Sequence, residues 1–330
     1  MTGAAHPARR PAGSVRGVEH RRGQADPAGR KIPPRGLFVG LTTLDLVQRV
    51  ERAPGANDKV RASRADLASG GPAANAAVTF SALGARAVLL SVLGPGPIAR
   101  LAADDLSRRG VSVADCWPSG GPDLSISAIT VLEGTGERSA VSRNAADVGA
   151  VVPPDLDTLV ADADIVLIDG HHPELALAAA RLAQQAGIAV VLDCGSEKAV
   201  FADLTPLAAA AVCSAEFTVA GAGGFDEVSA ALLDAGAGLV AMTGGARPVR
   251  WRTRHTAGTV GVSRTTARDT LGAGDVLHGA FARAWATGVR DPERSLRFAT
   301  AVATVRVEHV GPRSWVTDHR LAWLTEDKLR

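Results

Sequence analysis

The sequence predicts an α/β fold: a doubly wound, mostly parallel sheet flanked by helices, with a small β-sheet lid. Three observations carry this prediction. The strand-length apolar runs are continuous rather than alternating, which implies burial on both faces, as in a parallel sheet covered by helices. They alternate with helix-length segments that end at Gly. Two stretches, 44–69 and 111–142, break that alternation with short β-branched segments and no helix between them.

Taken in order, residues 1–35 form an Arg/Pro/Gly-rich tail without apolar periodicity, which predicts disorder. The folded domain runs from 36 to 330. "GLFVGL" (36–41) is a buried strand. "PAANAAVTFSALG" (72–84) is a helix of small residues closed by Gly84. "RAVLLSVLG" (86–94) is a strand and "PIARLAADDLSRRG" (97–110) a helix. The segments "VSVADCW", "SISAITVL" and "RSAVS" within 111–142, together with 44–69, read as antiparallel hairpins outside the parallel layer. Residues 163–193 form the clearest unit: strand "ADIVLIDG", a helix opened by Pro173 and closed by Gly187, then strand "IAVVLD". "GLVAMTGG" (238–245) is a strand, and helices follow at about 275–288 and 292–308.

The chain has 330 residues, 46% of them hydrophobic, enough for a large core. The net charge of +2 is unevenly placed. Residues 1–36 carry eight basic and two acidic side chains, a surplus of six, so the remainder carries −4. The basicity belongs to the tail, and a nucleic-acid partner is not expected. Three scattered cysteines, Cys116, Cys194 and Cys213, argue against a disulfide frame and for a reducing compartment. No apolar run reaches the length of a membrane span. A cytoplasmic location is the expectation.

Two glycine-rich segments carry the chemistry. In "SGGPAANAAV", Gly70 and Gly71 let the backbone approach a ligand closely, and Asn75 offers donors and an acceptor to a polyol. The plainer reading is a tight turn and a packed helix. In "RDTLGAGDVLHGAF", Gly272, Ala273 and Gly274 leave their amides unobstructed at a helix N-terminus, an anion site suited to a phosphoryl group. Asp275 is either the N-cap of that helix or a general base that deprotonates an attacking hydroxyl.

Together, "GG…N" and "DTLGAGD" resemble the two signature regions of the ribokinase-like, or PfkB, family of carbohydrate kinases, over roughly 36–315. "IDGHHPELALAAARLAQQAGIAVVLDCGS" and "GDVLHGAF" look most like its ketohexokinase and sulfofructose-kinase branch. The resemblance implies an ATP-dependent sugar kinase acting on a keto-sugar or furanose. In it Asp275 is the base, and Gly272, Ala273 and Gly274 supply the anion hole. Asp45, Gly70, Gly71, Asn75 and Arg138 meet the sugar. Thr243 and Gly245 lie by the nucleotide. Glu216 organises Mg²⁺ through water, although Cys213 stands where the family's motif has Asn. Asp269 matches an Asp that helps hold a monovalent cation such as K⁺ in several members. A homodimer through the lid strands is implied as well.

Rival readings are a non-catalytic sugar-binding relative and a nucleoside kinase of the same family. Trp117, the one aromatic in the two lid stretches, gives little to stack a purine on. A third rival is an NAD-dependent dehydrogenase, because Gly94, Gly96 and Ala99 make a GxGxxA between strand and helix, with Asp115 about 20 residues on. His171 and His172 follow a strand's C-terminal end and are candidate ligand contacts.

Overall fold

The computed structural model describes residues 32–145 and 148–329. Most of the tail, residues 1–31, lies outside the described residues, so its predicted disorder does too.

The central sheet has nine strands in the order β15-β14-β13-β10-β9-β8-β1-β4-β5. These are β1 (Arg35–Val39), β4 (Arg86–Ser91), β5 (Val111–Asp115), β8 (Ile165–Ile168), β9 (Ala189–Cys194), β10 (Ala210–Cys213), β13 (Val240–Gly244), β14 (Arg247–Arg252) and β15 (Ala257–Val260). From β5 to β13 all neighbours are parallel, while β14 and β15 close one edge as an antiparallel meander. The continuous apolar runs have the buried pattern expected of them: β8 and β10 are buried at all four positions.

Helices cover both faces, and the core is accordingly two clusters. One holds α1 (Pro72–Ala82), α2 (Pro97–Arg108), α7 (Ala273–Ala286), α8 (Pro292–Val307) and α9 (Arg320–Lys328). The other holds α3 (Leu156–Ala161), α4 (Pro173–Gln185), α5 (Phe201–Leu204) and α6 (Phe225–Asp234). A small hairpin, β11 (Thr218–Val219) with β12 (Ala222–Gly223), follows β10.

The lid is a separate sheet of β2 (Thr43–Val50), β3 (Ala62–Gly70), β6 (Ile126–Leu132) and β7 (Arg138–Ser142), in the order β3-β2-β6-β7. Two details depart from the sequence reading. "VSVADCW" does not join the lid: it supplies β5, which extends the main sheet parallel to β4. Its partial alternation reflects an edge position, half covered by helices. The two lid stretches also meet through a parallel pair, β2 with β6, rather than through hairpins alone. Inside the lid, Val47, Ile129 and Val131 pack against Leu271, so its inner face is seated on the second glycine-rich segment.

Candidate active site

Packing of α1 on α7 assembles the site. Both helices are rich in Ala, and a Cβ at Gly279 would strike the Ala76 carbonyl. That close crossing brings together two residues 200 positions apart: Asn75 Nδ2 donates to Asp275 Oδ2 at 2.7 Å. Gly71 caps α1 at φ 94°, with the Leu41 carbonyl where a side chain would stand. A Cβ at Gly70 would collide with the Asp45 carboxylate. The glycine pair therefore lets the lid strand and its aspartate close against the start of α1.

The N-cap of α7 is Gly272, in the left-handed region at φ 71°, a conformation that favours glycine. Asp275 is therefore the third residue of the helix and not its cap. Its carboxylate bonds Asn75 across the helix crossing instead. The Ala273 N–H is taken by the Thr270 carbonyl at 3.2 Å. Gly274 and Asp275, at the second and third positions, are left with amides that have no acceptor within the helix. Of the three residues named from the sequence, Ala273 therefore has its amide engaged, while the amides of Gly274 and Asp275 stand open at the helix start.

Burial, then the negative charge of Asp193, pushes Asp275 up from 3.8 to about 6. The Asn75 amide, His278 and Arg138 pull the other way. Asp275 is thereby ionised at neutral pH yet close enough to neutrality to accept a proton.

A cleft beside Asp275 is lined by Asp45, Ser69, Asn75, Gly272, Arg306 and Arg313, among others. Asp45 is 8% exposed, and Oδ1 accepts from the Thr43 hydroxyl at 2.7 Å. Burial holds its carboxyl above the usual range, against the hydroxyls of Thr43 and Ser127 and the charge of Arg313. Arg313 escaped sequence reasoning. It donates to Asn75 Oδ1 at 3.0 Å and to Ser69 Oγ at 3.0 Å, and pairs with Asp105 at 3.3 Å. Trp315, also unforeseen, forms part of the same wall. Arg138 on β7 reaches the Thr270 hydroxyl at 3.2 Å, so the lid grips the first turn of "DTLGAGD".

Asp269 is fully buried. Oδ1 accepts from Leu271 N at 3.0 Å and Oδ2 from Gly311 N at 2.9 Å. Arg49 and Arg306 both pair with it at 3.4 Å. Arg306 Nη1 also reaches the carbonyls of Asp269 (3.4 Å) and His309 (2.9 Å). A guanidinium already occupies these oxygens, so the residues do not fit a monovalent metal ion at Asp269.

A second cleft, of about 440 Å³, opens at the C-terminal ends of β10 and β13, lined by Ala215, Phe225, Met242, Thr243, Gly244 and Thr259 among others. Thr243 lines this cleft. Gly245 falls in the turn beyond it, and Gly244 lines the cleft instead. Glu216 is an exposed carboxylate on the turn after β10, whereas Cys213 is fully buried. An exposed hard oxygen suits an outer partner of hydrated Mg²⁺, while a buried thiol does not. No cluster of three metal-ligating side chains exists among the described residues.

The remaining candidates are structural. Asp169 Oδ2 accepts from the amides of Leu41 (2.9 Å) and Ala73 (3.1 Å), and Oδ1 from His171 N (2.9 Å) and faces Nδ1 (3.0 Å). His171 thus serves a latch that pins the start of α1 to the end of β1. His172 is buried at the N-cap of α4, and burial lowers its pKa. Asp115 receives the amides of Leu93, Gly94 and Trp117, which stabilises its own loop. A Cβ at Gly96 would strike the Asp123 carboxylate, which puts a negative charge at the start of α2. A carboxylate at that position repels a pyrophosphate, so these residues do not fit a dinucleotide.

A family model described as pfkB family carbohydrate kinase matches residues 35–318. Among curated proteins, an ATP-dependent ribose-1-phosphate kinase from Halopiger xanaduensis is 29% identical over 294 residues, covering 88% of this chain and 98% of that protein. A ketohexokinase from Mus musculus is 33% identical over 117 residues, 34% of this chain and 39% of that one. Ribokinase from Giardia lamblia superposes with a TM-score of 0.75 at 20% identity, covering 90% of this chain and 99% of that one. Ribokinase from Arabidopsis thaliana, complexed with ribose and ATP, gives 0.69 at 21% identity over 89% and 99% of the two chains.

Proposed function

The chain belongs to the pfkB family of carbohydrate kinases, and from that premise we propose that Asp275 is the base that activates a sugar hydroxyl for attack on the γ-phosphate of ATP. One observation carries the reading: the 2.7 Å bond from Asn75, which lines the cleft that also holds Asp45, to Asp275 at the start of α7.

The proposed chemistry follows from this geometry. Asp45 and Asn75 hold the sugar's hydroxyls. Ionised Asp275 takes the proton of a primary hydroxyl as it attacks in line. The amides of Gly274 and Asp275, at the positive end of α7, stabilise charge on the transferred phosphoryl group. Thr243 and the cleft around Phe225 receive the nucleotide. Mg²⁺, when bound, neutralises phosphate charge, and Glu216 holds its water shell. The cation beside the anion hole is Arg306. The lid, seated through Leu271 and Arg138, excludes water and suppresses hydrolysis.

A keto-sugar or a furanose, free or phosphorylated, is the acceptor class we favour. The two curated relatives are named for a phosphorylated pentose and a ketohexose. Trp117 does not belong to the lid sheet: its Nε1 donates to the Pro122 carbonyl. The lid strands contain no aromatic residue for a purine to stack on, which supports a sugar over a nucleoside.

The outer lid face exposes Leu67, Ile126 and Val141, which supports pairing with a second copy. The three cysteines are free and buried, which fits the cytoplasm. No helix among the described residues is long and apolar enough to cross a membrane.

The test is ADP release from Mg·ATP with ketohexoses, pentoses, ribose 1-phosphate and adenosine. Turnover with a sugar or sugar phosphate supports the reading. Sugar binding without turnover would move the protein to the non-catalytic alternative.

A further inference from the structure

His278 lies one turn after Asp275 on α7 and is 4% exposed. Its Nε2 stands 3.1 Å from the Val212 carbonyl on β10. Its Nδ1 stands 3.0 Å from Asp193 Oδ2 at the end of β9. Both ring nitrogens therefore face oxygens that can only accept hydrogen bonds. The approach at Nδ1 is a close charge contact and not an aligned hydrogen bond, so a neutral imidazole donating through Nε2 would turn a lone pair toward the Asp193 carboxylate, whereas the imidazolium sets a positive charge against it.

We propose that His278 is a buried imidazolium, clamped between Asp193 and the Val212 carbonyl, that acts as a positioning residue for Asp275 by neutralising the carboxylate behind it. The proposal rests on the reading of Asp275 as the base. The groups that act on Asp275 are Asn75 from α1, Arg138 from β7, Asp193 from β9, His278 from its own helix and, by charge, Arg306 from α8. Burial raises Asp275, Asp193 raises it further, and Asn75, His278 and Arg138 lower it. The groups acting on His278 are Asp193, Asp275 and the Val212 carbonyl. Burial alone would strip its proton, but those three hold its pKa above the ordinary value. Without the imidazolium, the charge of Asp193 would act on Asp275 uncompensated by its nearest cation, and the base would hold its proton to higher pH.

Two measurements test this. Nitrogen-15 NMR of the wild type should show one histidine with both ring nitrogens protonated at pH 8, a signal lost in His278→Asn. A neutral tautomer at that pH overturns the proposal, and this readout needs no substrate. The second is the pH profile of kcat/KM for wild type, His278→Asn and the double variant Asp193→Asn/His278→Asn. The single variant should move the acid limb up by about one pH unit, a roughly tenfold loss near pH 6 that closes by pH 9. The double variant should return the limb to the wild-type position or below. Rates lowered equally at every pH would indicate a merely structural role and overturn the proposal. A wild type that turns over no acceptor is a different failure, which removes the kinase reading itself.

Discussion

Asp275→Asn should cut turnover by orders of magnitude and make the protein more stable, and the two effects have one cause. Folding lifts this carboxyl from 3.8 to about 6, first through burial and then through Asp193. A group whose folded pKa is raised favours the fold when protonated; that contribution is present below about pH 4 and lost as pH rises through 6. At pH 8 the ionised carboxylate therefore costs up to about 3 kcal/mol, at about 1.4 kcal/mol per tenfold change in acidity. Partial exposure reduces this to roughly 1–2 kcal/mol. Asparagine keeps the shape, removes the charge and still accepts from Asn75. Thermal unfolding at pH 8 should rise by about 2–5 °C, and the gain should vanish near pH 4. Turnover should fall by about 10²–10⁴, the usual contribution of a positioned base, with sugar affinity little changed. A variant that is less stable at pH 8, or equally stabilised at pH 4, would refute the reasoning.

Further outcomes follow from other parts of the site. Asp45→Asn should raise KM for the sugar more than tenfold with a smaller change in KM for ATP, read by steady-state kinetics. Asp169→Asn should cost about 2–3 kcal/mol in urea unfolding at pH 7. Burial raises the Asp169 carboxyl, but His171 and the amides outweigh it and hold it below its ordinary value; the loss should therefore disappear as pH falls through that lowered value. Gly279→Val should destabilise by about 1–3 kcal/mol, since its Cβ meets the Ala76 carbonyl. Exchange of K⁺ for Na⁺ or tetramethylammonium should leave turnover unchanged within about twofold, because Arg306 sits on Asp269 and the His309 carbonyl.

Much of this was legible in the sequence, and the exceptions have physical reasons. Strands buried on both faces announce themselves, so β1, β4, β8 and β9 were readable as continuous apolar runs. β5 was not, because an edge strand has the partial alternation of a hairpin. The residues with backbone duties were visible in the glycines around them: Gly70 and Gly71 beside Asp45, and Gly272 before Asp275. Arg49, Arg306 and Arg313 were not visible. Each is tied to partners more than 200 positions away or in an irregular turn, as with Arg49 to Asp269 and Arg313 to Asn75. A buried arginine has no local sequence signature, and only the fold reveals the carboxylate it meets. His278 and Asp193 stood inside quoted motifs without a role, since their 3.0 Å pairing joins a helix to a strand. Asp169 hid the function of His171 in the same way, because a residue after a strand's end is a ligand candidate until its partner is seen.

The central claim is that Asp275 takes the proton of a sugar hydroxyl as that hydroxyl attacks the γ-phosphate of ATP. Phosphorus NMR of Mg·ATP with the best acceptor tests it most directly, with Asp275→Asn run in parallel. The account expects a new phosphomonoester resonance, split by the two protons of a CH₂–O–P group, to grow in step with ADP in the wild type and to be absent from the variant. ADP accompanied only by inorganic phosphate, or the same phosphomonoester formed as fast by Asp275→Asn, would contradict it.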